Sequence, residues 1–582
     1  MITKKRVFEL ILIVLSTFSL AYASKEGTSS WEAGGKVIDS DSGKPIKGAL
    51  VTVGNEVMLT DENGRFTVQG QATTISFRAH GYTRTTVPVS ESSNRTPLEI
   101  QLKPFLPKAL YLTNYGIGDR SLRGNALKLI NETELNSLVI DVKGDRGVIT
   151  YKSDIPLAAE IGAQKTIIVK DMKGQLNELK EKGIYTIARI VVFKDNVLGA
   201  ARPDLAVKTK SGELWRDREG LVWVDPSKQE VWDYNVAIAE EAARIGFDEI
   251  QFDYVRFPDQ KGPLFSVANT EPNRVSAIAG FLDEARRRLV PYNVFLSADV
   301  FGYVAWNLND TMIGQRLDSM AASVDYLALM LYPSGFQFGI PGCTNPVEHP
   351  SEIIYRTLEQ ARKRSGIPAV RFRPWLQGFR DYAFDKRNFA GPEIRAQINA
   401  SDSFGAGGWM LWNPRNVYMA QGLSRDIPGE GITRLAGVRG HTNPVDQPAA
   451  TTYRAPERAL ERTGLFAGRF EPWPQRFSDS FFDRKNIVRP ARQVSLNSAG
   501  PAAGGWLPLN LSEVYLSKGL KEDISVKMIV SHLQASDNAI DKQIVFGPEM
   551  RARMTVSGTS SSKSAGWMPQ KLSEVYLSKG LN

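Results

Sequence analysis

Two aspartates, Asp253 and Asp299, have the types and spacing on which chemistry can be built. Asp253 lies in GFDEIQFDYVRFP (Gly246–Pro258), where an extended chain places Glu249, Gln251 and Asp253 on one face and Ile250, Phe252 and Tyr254 on the other. Asp299 lies in NVFLSADVFG (Asn293–Gly302), where Ser297 and Asp299 share a face in the same phase. Two carboxylates delivered side by side suit hydrolysis of a glycosidic bond. That reaction needs one ionised carboxylate beside an oxocarbenium-like centre and one protonated carboxyl that donates to the leaving oxygen. Type and spacing alone leave open which of Asp253 and Asp299 is the ionised member and which the protonated one. For such a pair the carboxyl groups are expected about 5–10 Å apart.

Further groups are expected around the pair. Arg256, three residues after Asp253, is predicted to keep a nearby carboxylate ionised. Asp141, Arg189, Tyr332 and Gln377 come from the ends of other strand-like runs and are predicted to bind substrate. Trp375, Trp409 and Trp412 are candidate flat platforms for sugar faces.

The elements that must position these residues alternate in type. From Lys108 onward the strand-like runs are Ala109–Gly116, Ser137–Gly144, Ile184–Asp195, the run ending at Asp253, Asn293–Gly302, Val324–Ser334, Val370–Phe379 and Gly407–Pro414. Helical patterns separate them, among them Val231–Gly246, Arg274–Leu289, Glu352–Arg364 and Pro392–Phe404. Eight strands alternating with helices predict a (β/α)8 TIM barrel over 108–435, a fold whose active site lies at the carboxyl ends of the strands.

Other segments flank the barrel. Residues 31–104 alternate short β-branched runs with Asp-Ser-Gly, Gly-Asn and Glu-Asn-Gly turns, which predicts a small antiparallel β-sandwich. Asp61 and Glu62 are turn formers there, with a calcium role as the lesser reading. Lys4, Lys5 and Arg6, the apolar run Val7–Tyr22 and the Ala21-Tyr22-Ala23 site predict a signal peptide over 1–23, hence export to the periplasm or secretion. Contact with a membrane is expected only if that signal stays uncleaved.

Composition narrows the chemistry. Four histidines and the single Cys343 exclude a His-rich metal site, a disulfide scaffold and a Cys–His catalytic pair, and no metal or organic cofactor is expected. A net charge of +9 spread over 582 residues without a basic block gives no reason to expect a nucleic-acid partner.

Two resemblances add to this. The pattern carried by Gly35, Val37, Pro45, Gly48, Ala49, Val51, Thr60, Asp61, Gly64 and Phe66 resembles the carboxypeptidase regulatory-like (transthyretin-like) domain, which implies a non-catalytic accessory module. The pieces LVIDVKGDRG, ARIVVFKD, VDPS, FDEIQFDYVRFPD, SADVFGY and GGWMLWNP resemble the bacterial putative glycoside hydrolase domain family, distantly similar to the alpha-amylase and alpha-galactosidase clans. In those clans the carboxylate ending the fourth strand is the nucleophile, the position of Asp253. The amylase-like pattern has a Glu after the fifth strand, where this chain has Asp299. The galactosidase-like pattern has an Asp after the sixth, where this chain has Tyr332-Pro333. The resemblance implies a retaining hydrolase acting on a polysaccharide or cell-envelope glycan, with Asp253 as the nucleophile or stabilising carboxylate and Asp299 as the proton donor, Asp141, Asp225 and Asp259 being alternative donors. The alternative is a catalytically silent glycan-binding or envelope-scaffolding protein that keeps only the barrel shape. Neither reading fixes an oligomeric state.

The tail repeats the end of the barrel. Arg371–Asn388 recurs as Arg469–Asn486, Ala406–Tyr418 as Ala503–Tyr515, and Leu511–Leu520 recurs without change as Leu572–Leu581. In the copies Leu358 becomes Pro456 and Leu376 becomes Pro474, breakers inside a helix and a strand. Residues 436–582 are therefore expected to be degenerate partial copies forming a loosely packed appendage. Truncation after Thr433 is expected to leave activity and melting temperature unchanged; a fall of either, read by turnover and thermal melt, would make the copies essential.

Overall fold

The computed structural model describes residues 31–89, 97–260 and 262–424, together with four short strands further on. The proposed signal peptide lies outside the described residues, and so does the repeated tail apart from those four strands.

Eight parallel strands close into a barrel. In chain order they are β1 (Lys108–Leu112), β2 (Ser137–Lys143), β3 (Tyr185–Val191), β4 (Glu249–Asp253), β5 (Phe295–Phe301), β6 (Tyr326–Met330), β7 (Trp375–Gln377) and β8 (Trp409–Trp412), with β8 pairing back to β1. All eight expected strands are present. Helices follow them, among them Arg120–Glu132, Met172–Glu181, Gln229–Ile245, Glu271–Leu289, Pro350–Ser365 and Gly391–Phe404. Every residue of β2 and β3 is buried, as expected for parallel strands covered on both sides. Their alternate residues part company: Leu138, Ile140, Ala188 and Ile190 join the core beneath the helices, while Val139, Tyr185 and Ile187 join the core inside the barrel.

The helix before β4 illustrates the local logic. Gln229–Ile245 buries Val231, Val236, Ile238, Ala239 and Ala242, and a large apolar side chain contributes about 1.5–3 kcal/mol when fully buried. It ends at Gly246, whose φ of +121° is a conformation that side chains disfavour, and β4 starts three residues later. Two ends differ from expectation. The chain turns into the helix Asn114–Gly118 directly after β1, capped by Thr113, so Asn114 and Tyr115 are helical and Tyr115 is exposed. Strand β7 begins only after Pro374, because Ala369–Arg371 forms a 3-10 turn and proline offers no N–H to a ladder.

The N-terminal unit consists of a three-stranded and a four-stranded sheet around Val37, Ala49, Val51, Phe66, Ile75 and Phe77. Asp61 accepts from the backbone N–H groups of Asn63 (2.9 Å) and Arg65 (2.7 Å), and Glu62 pairs with Lys47, so both acids serve the turn. Gly64 in that turn has a φ of +71°, and a Cβ there would come within 2.5 Å of the Val37 carbonyl.

This unit seats on the amino-terminal end of the barrel. Asp248, Asn293 and Asp325 stand just before β4, β5 and β6. Arg84 donates to the carbonyls of Phe247 (3.1 Å) and Tyr292 (3.2 Å) and to the Asp248 carboxylate (3.2 Å). Asn293 donates to the carbonyls of Phe77 and Thr85. Burial alone would raise the pKa of Asp325; Arg78 and His80 beside it outweigh that and hold it far below the ordinary carboxylate value. The Gly81 N–H reaches Tyr326 Oη at 3.1 Å.

The four strands described beyond residue 424 form one sheet. Tyr515–Leu516 pairs in parallel with Tyr576–Lys579, so Tyr515 lies opposite Tyr576, the equivalent position of the repeated decapeptide.

Arg84→Ala is expected to lower unfolding free energy by about 1–3 kcal/mol through its lost partners. The double variant with Asp248→Ala should lose less than the sum of the two in chemical denaturation, since the residues share one interaction.

Candidate active site

Glu249, Gln251 and Asp253 all point into the barrel, at the bottom, middle and top of β4. At the bottom Glu249 takes Arg373 and the Tyr185 hydroxyl (3.0 Å). At the top the inward residues of successive strands form one connected chain. Tyr111 of β1 donates its hydroxyl to Asp141 Oδ2 of β2 at 2.8 Å. Arg189 of β3 donates Nη1 to Asp141 Oδ1 at 2.6 Å, and Nε (2.9 Å) and Nη2 to Asp253 Oδ2 of β4. Asp253 and Asp299 of β5 stand level on neighbouring strands, Phe252 pairing with Ala298 just before them, and the charge of one acts on the other. Trp375 Nε1 of β7 donates to Asp299 Oδ1 at 2.8 Å.

Aromatic contacts complete the ring. Trp412 of β8 stacks on Tyr111 with centroids 3.9 Å apart and meets Trp375 edge-on at 5.3 Å. The Arg189 guanidinium lies over both Trp412 and Tyr111, 5.0 and 5.4 Å from their centroids, an arrangement that favours a cation.

The electrostatics separate the two aspartates. Burial, reinforced by the neighbouring Asp253, pushes the Asp299 carboxyl well above the usual carboxylate range. Arg189 is also buried, which opposes its charge, but Asp253 and Asp141 outweigh that and raise its pKa well above the ordinary arginine value. Asp253 is the slightly more open of the two, 6% exposed against 1% for Asp299. Its Oδ1 accepts the N–H of Tyr254 at 2.6 Å, and Tyr254 sits in the left-handed region at φ +49°. A bulky residue held there is strained, and such strain clusters at working sites.

The structure rearranges several expected roles. Arg189, not Arg256, holds Asp253; Arg256 turns to the rings of Trp223 and Tyr254, each 5.1 Å away, and to Asp259 at 3.9 Å. Trp375 holds a carboxyl where a sugar platform was expected. Trp409 is fully buried and out of phase: Met410 and Trp412 enter the inner core while Trp409 and Leu411 pack under the helices. Gln377 is fully buried and spends its amide on Ser334 (2.7 and 3.0 Å) and the Phe379 carbonyl, anchoring the loop after β6. Tyr332 is buried in the inner core, and burial, with the charges of Asp299 and Asp253, raises its phenol well above the ordinary value.

Among the alternative donors, Asp225 accepts the backbone N–H groups of Ser227 and Ser266 and so fixes loops, and Asp141 is held by Arg189 and Tyr111. Tyr111 was the residue missed. Its signal was phase, since alternation from Ala109 points Tyr111 inward as it does Asp141 and Arg189. Among the described residues no group of three or more His, Cys, Asp or Glu is arranged to hold a metal ion.

Comparison with known proteins bears on the same region. The model of a family described as a putative glycosyl hydrolase domain matches residues 109–418, more than half of the chain. No curated protein matches. Among solved structures, a hypothetical protein from Ruminiclostridium thermocellum ATCC 27405 is similar at 43% identity, over 33% of this chain and 97% of its own, with a TM-score of 0.30. The PgaB (BpsB) glycoside hydrolase domain from Bordetella bronchiseptica is similar at 15% identity, over 56% and 100%, with a TM-score of 0.41. A class V chitinase from Pseudomonas fluorescens Pf-5 is similar at 13% identity, over 55% and 96%, with a TM-score of 0.33.

The raised pKa of Asp299 sets a pH dependence. The folded state holds a proton that the unfolded state gives up near pH 4, so this contribution is complete below that pH. It fades as pH rises toward the folded pKa. Asp299→Asn is expected to remove up to about 1.4 kcal/mol per pH unit of this decline between weakly acidic and neutral pH, read from denaturation midpoints.

Proposed function

This chain belongs to the putative glycosyl hydrolase domain family, and from that membership and the aspartate pair we propose that it hydrolyses a glycosidic bond in a polysaccharide or cell-envelope glycan. The observation that carries the reading is the placement of Asp253 and Asp299 side by side toward the carboxyl ends of β4 and β5, the end at which barrels of this kind place their chemistry.

Asp253, anchored by Arg189, faces the anomeric carbon as a carboxylate, and Asp299 is the proton source. In the resting enzyme the Asp299 proton is held against Asp253. When the glycan occupies the site, the glycosidic oxygen takes the place of Asp253 as acceptor. Proton transfer to that oxygen breaks the bond to the leaving sugar while Asp253 attacks or stabilises the anomeric carbon. Water then completes a retaining cycle, returning a proton to Asp299. Tyr332, in the inner core just after β6, is a donor for a sugar hydroxyl. The N-terminal sandwich is a carboxypeptidase regulatory-like module with a structural role, and the protein acts after export.

Product release from a panel of bacterial and plant polysaccharides tests this. One glycan should be cleaved, and Asp253→Asn and Asp299→Asn should each lower kcat/KM by about 10²–10⁴-fold or more. A glycan that binds equally to all three proteins without cleavage would leave a binding scaffold in place of an enzyme.

A further inference from the structure

We propose that Asp253 and Asp299 share a single proton, and that Arg189, steadied by Asp141, is the positioning residue that assigns it to Asp299. This rests on the reading of the two aspartates as the reacting pair.

The assignment follows from counting donors. Asp253 receives three N–H groups, Nε and Nη2 of Arg189 on Oδ2 and the Tyr254 backbone on Oδ1. Asp299 receives one from Trp375, on Oδ1. Two carboxylates facing each other in a buried site repel, and a proton between them converts repulsion into a hydrogen bond. The anion belongs on the better-served side chain and the proton on the other, so the Asp299 hydroxyl donates to Asp253.

Arg189 makes the difference. Without its two bonds Asp253 would keep only the Tyr254 N–H, against the Trp375 N–H on Asp299, and the pair would be nearly balanced. Asp141 draws Nη1 toward β2 and shares the guanidinium charge, and Tyr111 fixes Asp141 in turn. The charged and titratable groups facing the pair are therefore Arg189 from β3, Asp141 from β2, the Tyr111 phenol from β1 and the Tyr332 phenol after β6. Arg189 is the cation among them, so it governs how tightly the pair keeps its proton.

The experiment is an infrared pH titration of the resting mature protein without glycan, following the protonated-carboxyl C=O stretch. A band persisting at neutral pH and abolished by Asp299→Asn is expected. Asp253→Asn should let the band vanish at lower pH, since the neighbouring negative charge is gone. Arg189→Gln should carry it upward by about one to three pH units, because the pair has lost its counter-ion. Asp141→Asn should shift it the opposite way, as the guanidinium then answers to the pair alone. This variant keeps an acceptor for Nη1, so it remains informative if Arg189→Gln does not fold. The proposal is overturned by a wild-type protein with no such band, by a band that Asp299→Asn leaves in place, or by a titration that neither Arg189→Gln nor Asp141→Asn moves. Finding the proton in a protein that cleaves no glycan would count against the hydrolase reading alone.

Discussion

A guanidinium buried inside a barrel must be fully answered by its surroundings, and Arg189 is the group on which the upper end of this barrel depends. Burying a charge is costly unless it is paired and hydrogen-bonded. Here the neighbours of β3 on either side each supply a carboxylate, Asp141 from β2 and Asp253 from β4. The parallel register puts them there: Arg189 lies opposite both Asp141 and Gln251, and Asp253 follows Gln251 on the same face. A register break between Arg189 and Ile190 allows β2 to offer Lys143 next, whose ammonium goes to Asp195, also buried. Charges that look scattered along the chain are thus consecutive rungs of one ladder.

Much of this was legible because strands have a period of two. The eight strands, the inward phase of Asp253 and Asp299 and their position at the carboxyl end all follow from alternation. What alternation could not supply was which neighbour a side chain prefers. Arg256 is closer to Asp253 in sequence than Arg189, but it lies beyond the turn at Tyr254 and swings to Trp223, while Arg189 is one strand away in space. Local sequence distance lost to sheet register. The tryptophans divide in the same manner. Three indoles near strand ends read alike, yet one-residue differences in phase send Trp409 outward and Trp375 and Trp412 inward. The phase is written in the sequence by Met410, which alternates with Trp409 and shares a face with Trp412.

The two ends of the barrel do different work. At the amino-terminal end the interior is filled by Tyr185, Tyr326, Arg373 and Glu249, with the Arg373 guanidinium 3.8 Å from the Tyr326 ring centroid. Glu249 Oε2 takes both Arg373 and the Tyr185 hydroxyl, and the sandwich adds Arg84, contacts to Asn293 and the Gly81 N–H from below. At the carboxyl-terminal end the corresponding layer carries Asp141, Asp253 and Asp299 around the Arg189 guanidinium.

That closure bears on the chemistry. The shift of Asp299 comes first from desolvation, and desolvation at the top layer requires that water be kept from reaching it through the barrel as well as from the mouth. The interior beneath is packed by Ile187, Phe295, Ala328 and Met410, and the sandwich covers the strand ends below them. A carboxyl above a wet channel would ionise near its ordinary value and could not hold a proton against Asp253. The floor beneath Asp299 is built from the inward side chains of the strands themselves, with the sandwich seated under them.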